Sequence, residues 1–102
     1  MKKTKETSQI SAADFPALRH FLRGYFHQDL GDEYGSPQAA ARQFWQDANQ
    51  EQREAVAEEW ERFLARMKGQ PIEDLNRALA ALGSACLLGQ ADIDEVSKVL
   101  KI

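Results

Sequence analysis

Residues 15–29 read Phe15-Pro-Ala-Leu-Arg-His-Phe-Leu-Arg-Gly-Tyr-Phe-His-Gln-Asp29, and no other segment of similar length carries as much apolar bulk. Successive residues of an α-helix are about 100° apart, which places the large apolar side chains of this stretch on one face. That face consists of Phe15, Leu18, Phe21, Leu22, Tyr25 and Phe26. The stretch therefore predicts an amphipathic helix that ends between Gly24 and Gln28 and against which the core is built.

The residues on either side of this helix carry local signals that predict where helices begin and where loops lie. Asp14 is expected to cap it, with Pro16 in the first turn, where a missing N–H is harmless. Leu30 to Gly35 is rich in glycine and acid and predicts a loop. Ser36-Pro37 then predicts a second helix that runs to about Ala48, since a capping hydroxyl precedes a proline at the first helical position.

Three further helices are predicted in the second half of the chain. Asn49 and Gln52 resemble a capping box, and the helix that they begin ends at Lys68-Gly69. A fourth helix extends from Pro71 to Gly83. Residues 85–88 are expected to form a buried connector. Asp92 and Glu95 resemble another capping box, which begins a short final helix.

The pattern predicts an all-α fold: a single compact domain of about five helices, with no strand alternation and no repeats. Residues 1–13 are expected to form a flexible basic and polar tail, and residues 14–102 the helical domain. The chain has one cysteine, Cys86, so it can form no intrachain disulfide. It also lacks the apolar run of a membrane span or signal peptide. We expect a cytoplasmic protein that does not bind membranes and is a monomer when free.

Negative charge is concentrated in the middle of the chain. The net charge is −3, from 13 basic and 16 acidic residues, and residues 1–8 contain three of the lysines. Between Asp29 and Glu61 there are nine acidic residues and two basic ones, Arg42 and Arg53. Such a surface repels phosphate backbones and attracts cationic partners. Direct binding to nucleic acid is therefore not expected.

The residues do not predict catalysis, a cofactor or a metal site. His20 and His27 are seven positions apart, whereas zinc ligands on one helix are usually three or four apart, and Asp29 does not improve the spacing. Cys86 lies in an apolar setting that raises the pKa of a thiol and leaves it unreactive. A metal-dependent enzyme using His20, His27 and Asp29 remains an alternative hypothesis, which elemental analysis of the purified protein would test.

Two polar and aromatic features have both structural and binding interpretations. In the structural interpretation, Asp29 and His27 fix the turn that follows the first helix. In the binding interpretation, Asp29, Asp32 and Glu33 form an acidic knob for a basic partner. Trp60 is expected in the core. Trp45 adjoins Phe44, and because adjacent bulky residues cannot point the same way, one of them is expected to be partly exposed as a possible anchor.

Residues 15–29, followed by a loop and the Ser36-Pro37 helix start, resemble the small immunity proteins of bacterial contact-dependent growth inhibition systems. The string Tyr25-Phe26-His27-Gln28-Asp29 is the most specific part and is interpreted as a structural motif of the family. Relatives commonly have tryptophan after the aspartate, where this chain has Leu30. The resemblance implies a cytoplasmic protein, without an active site of its own, that binds a cognate toxin domain.

Many toxins of these systems are nucleases with basic clefts, so the resemblance and the acidic region together predict an acidic protein that blocks such a cleft. The residues predicted to bind the toxin are Asp29, Asp32, Glu33, Trp45, Asp47, Glu51, Glu54 and Glu58. The rival interpretation is a small helical adaptor or regulator that binds an endogenous protein. Gene context separates the two, because an immunity gene lies directly downstream of a large secreted toxin gene.

Overall fold

Six α-helices make up the computed structural model, which describes residues 11–100. In chain order they are α1 Pro16–Tyr25, α2 Leu30–Glu33, α3 Pro37–Asp47, α4 Gln50–Arg66, α5 Ile72–Ala81 and α6 Gln90–Val99, and a 3-10 helix, Ala12–Asp14, precedes α1. No strand occurs among these residues, so the all-α prediction is confirmed, with one more helix than expected. Most of the predicted tail, residues 1–10, lies outside the described residues. No helix in residues 11–100 is long and apolar enough to cross a membrane.

Helix α1 packs antiparallel against α4 and also contacts α3. The predicted apolar face of α1 is confirmed, since five of its six side chains are buried and Tyr25 is partly buried. The Phe15 ring meets Phe63 of α4 edge-on with centroids 6.1 Å apart, and the Phe21 ring lies 4.7 Å from that of Phe44 in α3. Helix α1 therefore packs its apolar face against both α3 and α4, as expected of the helix against which the core is built.

The other side of α3 packs against α6, and Trp60 joins α4 to the same layer. Trp60 is fully buried, stacks on Phe63, and donates from Nε1 to the Ser97 hydroxyl at 2.8 Å. A buried indole N–H usually needs such a partner, because leaving it unpaired costs free energy. The prediction that Trp60 belongs to the core is confirmed.

The start signals of α3 and α4 are also confirmed. The Ser36 hydroxyl accepts a hydrogen bond from the Ala39 N–H at 3.1 Å. At the start of α4, the Asn49 side chain accepts from the Gln52 N–H at 2.8 Å, and the Gln52 side chain accepts in return from the Asn49 N–H at 2.9 Å. Both helices are thus set by residues within their own first turn.

The predicted cap of α1 is wrong. Asp14 ends the 3-10 helix, and Phe15, which occupies the cap position of α1, makes no side-chain cap bond. The acceptor comes instead from α4, where Glu59 Oε1 accepts from the Leu18 N–H at 2.8 Å. Glu59 is only 7% exposed. The carboxylate that stabilises the start of α1 is therefore distant in the sequence rather than local.

Two other local predictions are wrong, one because a buried side chain decides the structure and one because the helix begins three residues earlier than expected. Leu30–Glu33, expected within a loop, forms the short helix α2, whose Leu30 side chain is buried in the core. Asp92, expected to cap the last helix, lies in the first turn of α6 and accepts from the Gly89 N–H at 2.9 Å. Its expected partner Glu95 accepts instead from Gln38 Nε2 of α3 at 2.8 Å.

The connector between α5 and α6 is only partly buried, contrary to expectation. Leu88 is buried, whereas Leu87 is 86% exposed. The Asn76 side chain fixes the backbone of Leu88 by donating to its carbonyl oxygen and accepting from its N–H, both at 2.8 Å. Gly83 ends the α5 segment as predicted, with a φ of 115° and the Arg23 side chain where a β-carbon would lie.

Candidate functional site

His27 fixes the corner between α1 and α2. Its Nδ1 accepts from the Asp29 N–H at 3.2 Å, and its Nε2 lies 3.1 Å from Glu33 Oε1. Its carbonyl oxygen accepts from the Leu30 N–H at 3.0 Å and from the Cys86 thiol at 3.2 Å. One residue thus joins α1, α2 and the connector that precedes α6.

Asp29 was predicted to fix this corner together with His27, and only the prediction for His27 is confirmed. The Asp29 side chain is exposed and makes no cap bond to α2, although its carbonyl oxygen accepts from the Glu33 N–H at 2.9 Å. Gln28 is exposed as well. In the Tyr25-Phe26-His27-Gln28-Asp29 string, the side chains of Tyr25, Phe26 and His27 therefore provide the structural contacts.

A groove opens between α1, the end of α3 and the start of α4, with a volume of about 400 Å³. We call it the Tyr25–Asp47 groove. Its apolar lining comes from Ala17, Phe21, Phe44, Ala48, Ala55 and Val56. Its polar lining comes from His20, Tyr25, Asp47, Glu51 and Gln52. Two of the acidic residues predicted to bind the toxin, Asp47 and Glu51, therefore lie at one concave surface.

Tyr25 and Asp47 form a hydrogen-bonded pair within this groove. The Tyr25 hydroxyl donates to Asp47 Oδ2 at 2.7 Å, and Gln43 Nε2 donates to Asp47 Oδ1 at 2.9 Å. Burial, followed by the hydrogen bond to Asp47, raises the pKa of Tyr25 to about 12. The phenol therefore stays protonated near neutral pH and holds the Asp47 carboxylate in a fixed orientation.

The aromatic wall of the groove continues towards α2. The Tyr25 ring stacks against Tyr34 with centroids 5.8 Å apart, and Tyr34 in turn lies 6.0 Å from the His27 ring. Burial and the negative charge of Glu33 raise the pKa of Tyr34. A series of contacts thus connects Glu33 to Tyr34, Tyr34 to Tyr25, and Tyr25 to Asp47.

All seven acidic residues predicted to bind the toxin are exposed. Asp47 and Glu51 line the groove, and Glu33 adjoins His27 and Tyr34. Glu54 accepts from Gln50 Nε2 at 2.6 Å in its own helix. Glu58 pairs with Arg62 at 3.1 Å, and this contact lowers the pKa of the Glu58 carboxyl. The structure therefore brings part of the predicted set together and leaves the remainder spread over α2 and α4.

Trp45 is separated from the groove. It is partly buried while Phe44 is buried, which confirms that one of these adjacent aromatics is partly exposed. Positions two residues apart point to nearly opposite sides of a helix, so Trp45 and Asp47 do not share a face of α3. The Arg53 guanidinium lies 5.2 Å above the Trp45 ring, and its Nε donates to the Trp45 carbonyl oxygen at 2.6 Å.

The set of residues predicted to bind the toxin does not include the α1 side of the groove. Tyr25 was interpreted as part of a structural motif, and Ala17 and His20 were given no binding role. A signal was present in the sequence, since Tyr25 lies at the edge of the apolar face of α1 and carries a polar group that burial would leave in need of a partner. The groove itself depends on small side chains that come from separate helices. A single sequence does not show which of these side chains lie close together in space.

Other potentially reactive groups lie elsewhere. Residues 11–100 contain no group of three or more histidine, cysteine and acidic side chains that could hold a metal ion. Burial raises the pKa of the Cys86 thiol, as predicted. The outer surface of α1 presents Arg19 and Arg23 beside His20 in a second concavity of about 420 Å³. The α1 surface is therefore basic on the side that faces away from the core.

Comparison with known proteins gives one match. A family model described as CdiI immunity protein matches residues 14–87, which is most of the chain. No curated protein and no solved structure matches. The chain therefore belongs to the CdiI immunity protein family, and membership implies that it neutralises a cognate toxin of contact-dependent growth inhibition.

Proposed function

We propose that this immunity protein neutralises a nuclease toxin by covering the toxin's active site or substrate surface with an acidic face. The acidic face consists of Asp29, Asp32, Glu33, Asp47, Glu51, Glu54 and Glu58. Trp45 remains a predicted anchor on the other side of α3. The protein would act by binding alone, with no chemical step of its own.

The observation that supports this proposal is the number of exposed carboxylates that make no ion pair with any residue from 11 to 100. Among the described residues, ion pairs occupy only Glu33, through His27, and Glu58, through Arg62. The other five carboxylates of the acidic face are exposed and make no ion pair within residues 11–100. Charges that are not neutralised internally produce a field that extends towards a partner.

A nuclease is the partner class that this charge favours. An enzyme that holds a nucleic acid needs positive charge around its substrate surface, because phosphate contacts dominate affinity for nucleic acids. An acidic protein surface competes for the same positive charge. Complementary fields also raise association rates, to about 10⁸ M⁻¹ s⁻¹ or above at low salt. Fast association suits a protein that must act as soon as a toxin enters the cell.

Binding between this protein and the toxin domain encoded directly upstream tests the proposal. A variant that reverses Asp32, Glu33, Glu51 and Glu54 to lysine is expected to bind at least tenfold more weakly at low salt, mainly through slower association. Its affinity should also depend less on salt than that of the wild-type protein. Stopped-flow association kinetics at several salt concentrations would measure both effects, and a nuclease assay would report neutralisation.

A matched control reverses three exposed acids outside the acidic face, Glu61, Glu73 and Asp94. Its effect per reversed charge should be much smaller, because the reversed residues lie away from the proposed contact. Reversing Arg19 to glutamate, on the basic side of α1, should not weaken binding. Equal affinity and equal salt dependence for the quadruple variant and the wild-type protein would rule out the acidic face as the binding surface.

A further inference from the structure

We infer that the Tyr25–Asp47 groove receives an arginine side chain of the toxin, which would make this groove the anchor point of the interface. The inference rests on the proposed function, because it assumes a basic toxin surface. It goes further in naming one concave site, its lining and the chemical group that fills it.

The shape of the groove suits an inserted side chain. Its volume of about 400 Å³ is within the range of about 300–1,000 Å³ typical of ligand pockets. Ala17 of α1 and Ala55 of α4 both line the groove, and their short side chains occupy little of the space in it. Phe21 and Phe44 form an apolar floor for the methylene stem of a long side chain.

The charge of the groove suits a cation at its rim. Each oxygen of Asp47 accepts one hydrogen bond, from Tyr25 and from Gln43, so each retains further acceptor capacity. Asp47 and Glu51 make no ion pair with any other described residue. The lining of the groove contains two carboxylates and no lysine or arginine.

Arginine matches this combination better than lysine does. The planar guanidinium stacks on aromatic rings and donates two parallel hydrogen bonds to a carboxylate, whereas the ammonium of lysine is a compact, strongly hydrated charge. The chain shows the same preference internally. The Arg53 guanidinium lies 5.2 Å above the Trp45 ring, and that of Arg62 lies 4.8 Å above Phe15 while it also binds Glu58. The groove likewise contains a tyrosine and two carboxylates in its lining.

Filling the groove without changing its charge is the direct test. Ala55→Leu places a larger apolar side chain in the groove from a partly exposed position, and the expected result is at least a tenfold loss of affinity for the toxin domain. Ala65→Leu makes the same change at an exposed position of α4 outside the groove and should leave affinity within twofold of the wild-type value. Circular dichroism and thermal unfolding of both variants would show that each is folded.

The identity of the inserted group is tested from the toxin side. Each surface arginine of the toxin domain is replaced by alanine and measured against wild-type protein and against Glu51→Gln. We expect one arginine whose replacement costs at least tenfold with the wild-type protein and clearly less with Glu51→Gln, which is the signature of a direct contact. Glu61→Gln, an exposed acid of the same helix outside the groove, serves as the control and should show no such coupling.

The outcomes separate this inference from the proposed function. If charge reversal weakens binding but Ala55→Leu behaves like Ala65→Leu, the acidic face stands and the groove inference is wrong. If Ala55→Leu weakens binding and no arginine couples to Glu51, the groove takes a different group and the inference is again wrong. The groove inference is also wrong if the free protein self-associates and Ala55→Leu abolishes that association. The groove would then receive a second copy of this protein rather than an arginine of the toxin. If neither change affects binding, both proposals fail.

Discussion

The two ends of the α1–α4 interface use the same type of residue in opposite ways. Where α1 begins, the α4 carboxylates are engaged inside the molecule: Glu59 accepts from the Leu18 N–H, and Glu58 holds Arg62 over the Phe15 ring. Where α1 ends, the interface opens into the Tyr25–Asp47 groove, and Glu51 makes no ion pair with any residue from 11 to 100. One helix thus supplies Glu58 and Glu59 to contacts within the molecule, while Glu51 in its first turn makes no ion pair in the part of the chain that the structure describes.

This contrast shows why a count of acidic residues does not locate a binding surface. Glu51 and Glu59 are eight positions apart on one helix, and the sequence gives them the same charge. Their environments differ because Trp60 and Phe63 bring the second half of α4 into close contact with the core, while Glu51 lies at the open groove that Ala48 and Ala55 line. We therefore expect changes at Glu59 to affect folding and changes at Glu51 to affect binding.

The largest effect is expected at Glu59. Glu59→Ala removes a buried, charged acceptor and leaves the Leu18 N–H without its partner, which typically costs about 2–3 kcal/mol of unfolding free energy. A domain of this size should then melt at least about 8 °C lower. Urea unfolding and calorimetry would measure the loss, and Glu61→Ala on the exposed side of α4 is the control. If the Glu59→Ala protein is as stable as the control, the proposed difference between the two ends of the α1–α4 interface is wrong.

A smaller effect is expected at the Tyr25–Asp47 pair. Tyr25→Phe deletes one partly exposed hydrogen bond and should cost about 0.5–1 kcal/mol. Because the pKa of Tyr25 is raised to about 12, from the usual 10.0, the folded state holds this proton more tightly than the unfolded state. The corresponding stability is fully present below pH 10.0 and is lost as pH rises towards 12.

Alkaline titration separates this contribution from that of Tyr34, whose pKa is also raised. The wild-type protein should lose more stability between pH 10 and pH 12 than Tyr25→Phe does, as followed by denaturant midpoints at each pH. The tyrosinate absorbance of the native protein should show one late transition that the variant lacks. Identical alkaline profiles for the two proteins would contradict a raised pKa for Tyr25 in the folded state.

The smallest effect is expected at Glu58. Its pair with Arg62 lies on the surface, where such contacts are worth little and salt screens them. Since Arg62 lowers the pKa of the Glu58 carboxyl, the contribution is present above the ordinary value of 4.5 and is lost as pH falls below it. Glu58→Gln should change the unfolding free energy far less than Glu59→Ala. A loss as large as that of Glu59→Ala would show that the surface pair, too, is structurally essential.

The parts of the fold that were predicted correctly are those with local causes. Ser36-Pro37 and the Asn49–Gln52 box act within a single turn, so their residues alone were sufficient to predict the starts of α3 and α4. The prediction that Asp14 caps α1 was wrong because the acceptor that the helix uses is 41 positions away from its donor in the sequence. The short helix α2 was missed for a similar reason, since burial of Leu30 outweighs the loop-forming character of Gly31 and Gly35.

The candidate site was predicted in part. The residues of the acidic region included Asp47 and Glu51, which the structure places at one groove. Trp45 was placed beside them in the sequence, but helical geometry turns it away from Asp47 and under Arg53. Tyr25 and the alanines that leave the groove open come from separate helices, and their juxtaposition depends on how α1 crosses α4. That crossing is a property of the packed core rather than of any one segment.

The distant cap of α1 also has a consequence for protein synthesis. Glu59 is added to the growing chain only after all of α1, α2 and α3 has been synthesised, so until then α4 offers no acceptor for the Leu18 N–H. A ten-residue helix is marginal in water when it is isolated. Helix α1 is therefore made before α4 but is completed only when the second half of α4 is present. Even a fragment as long as residues 1–58 should not hold α1 in place.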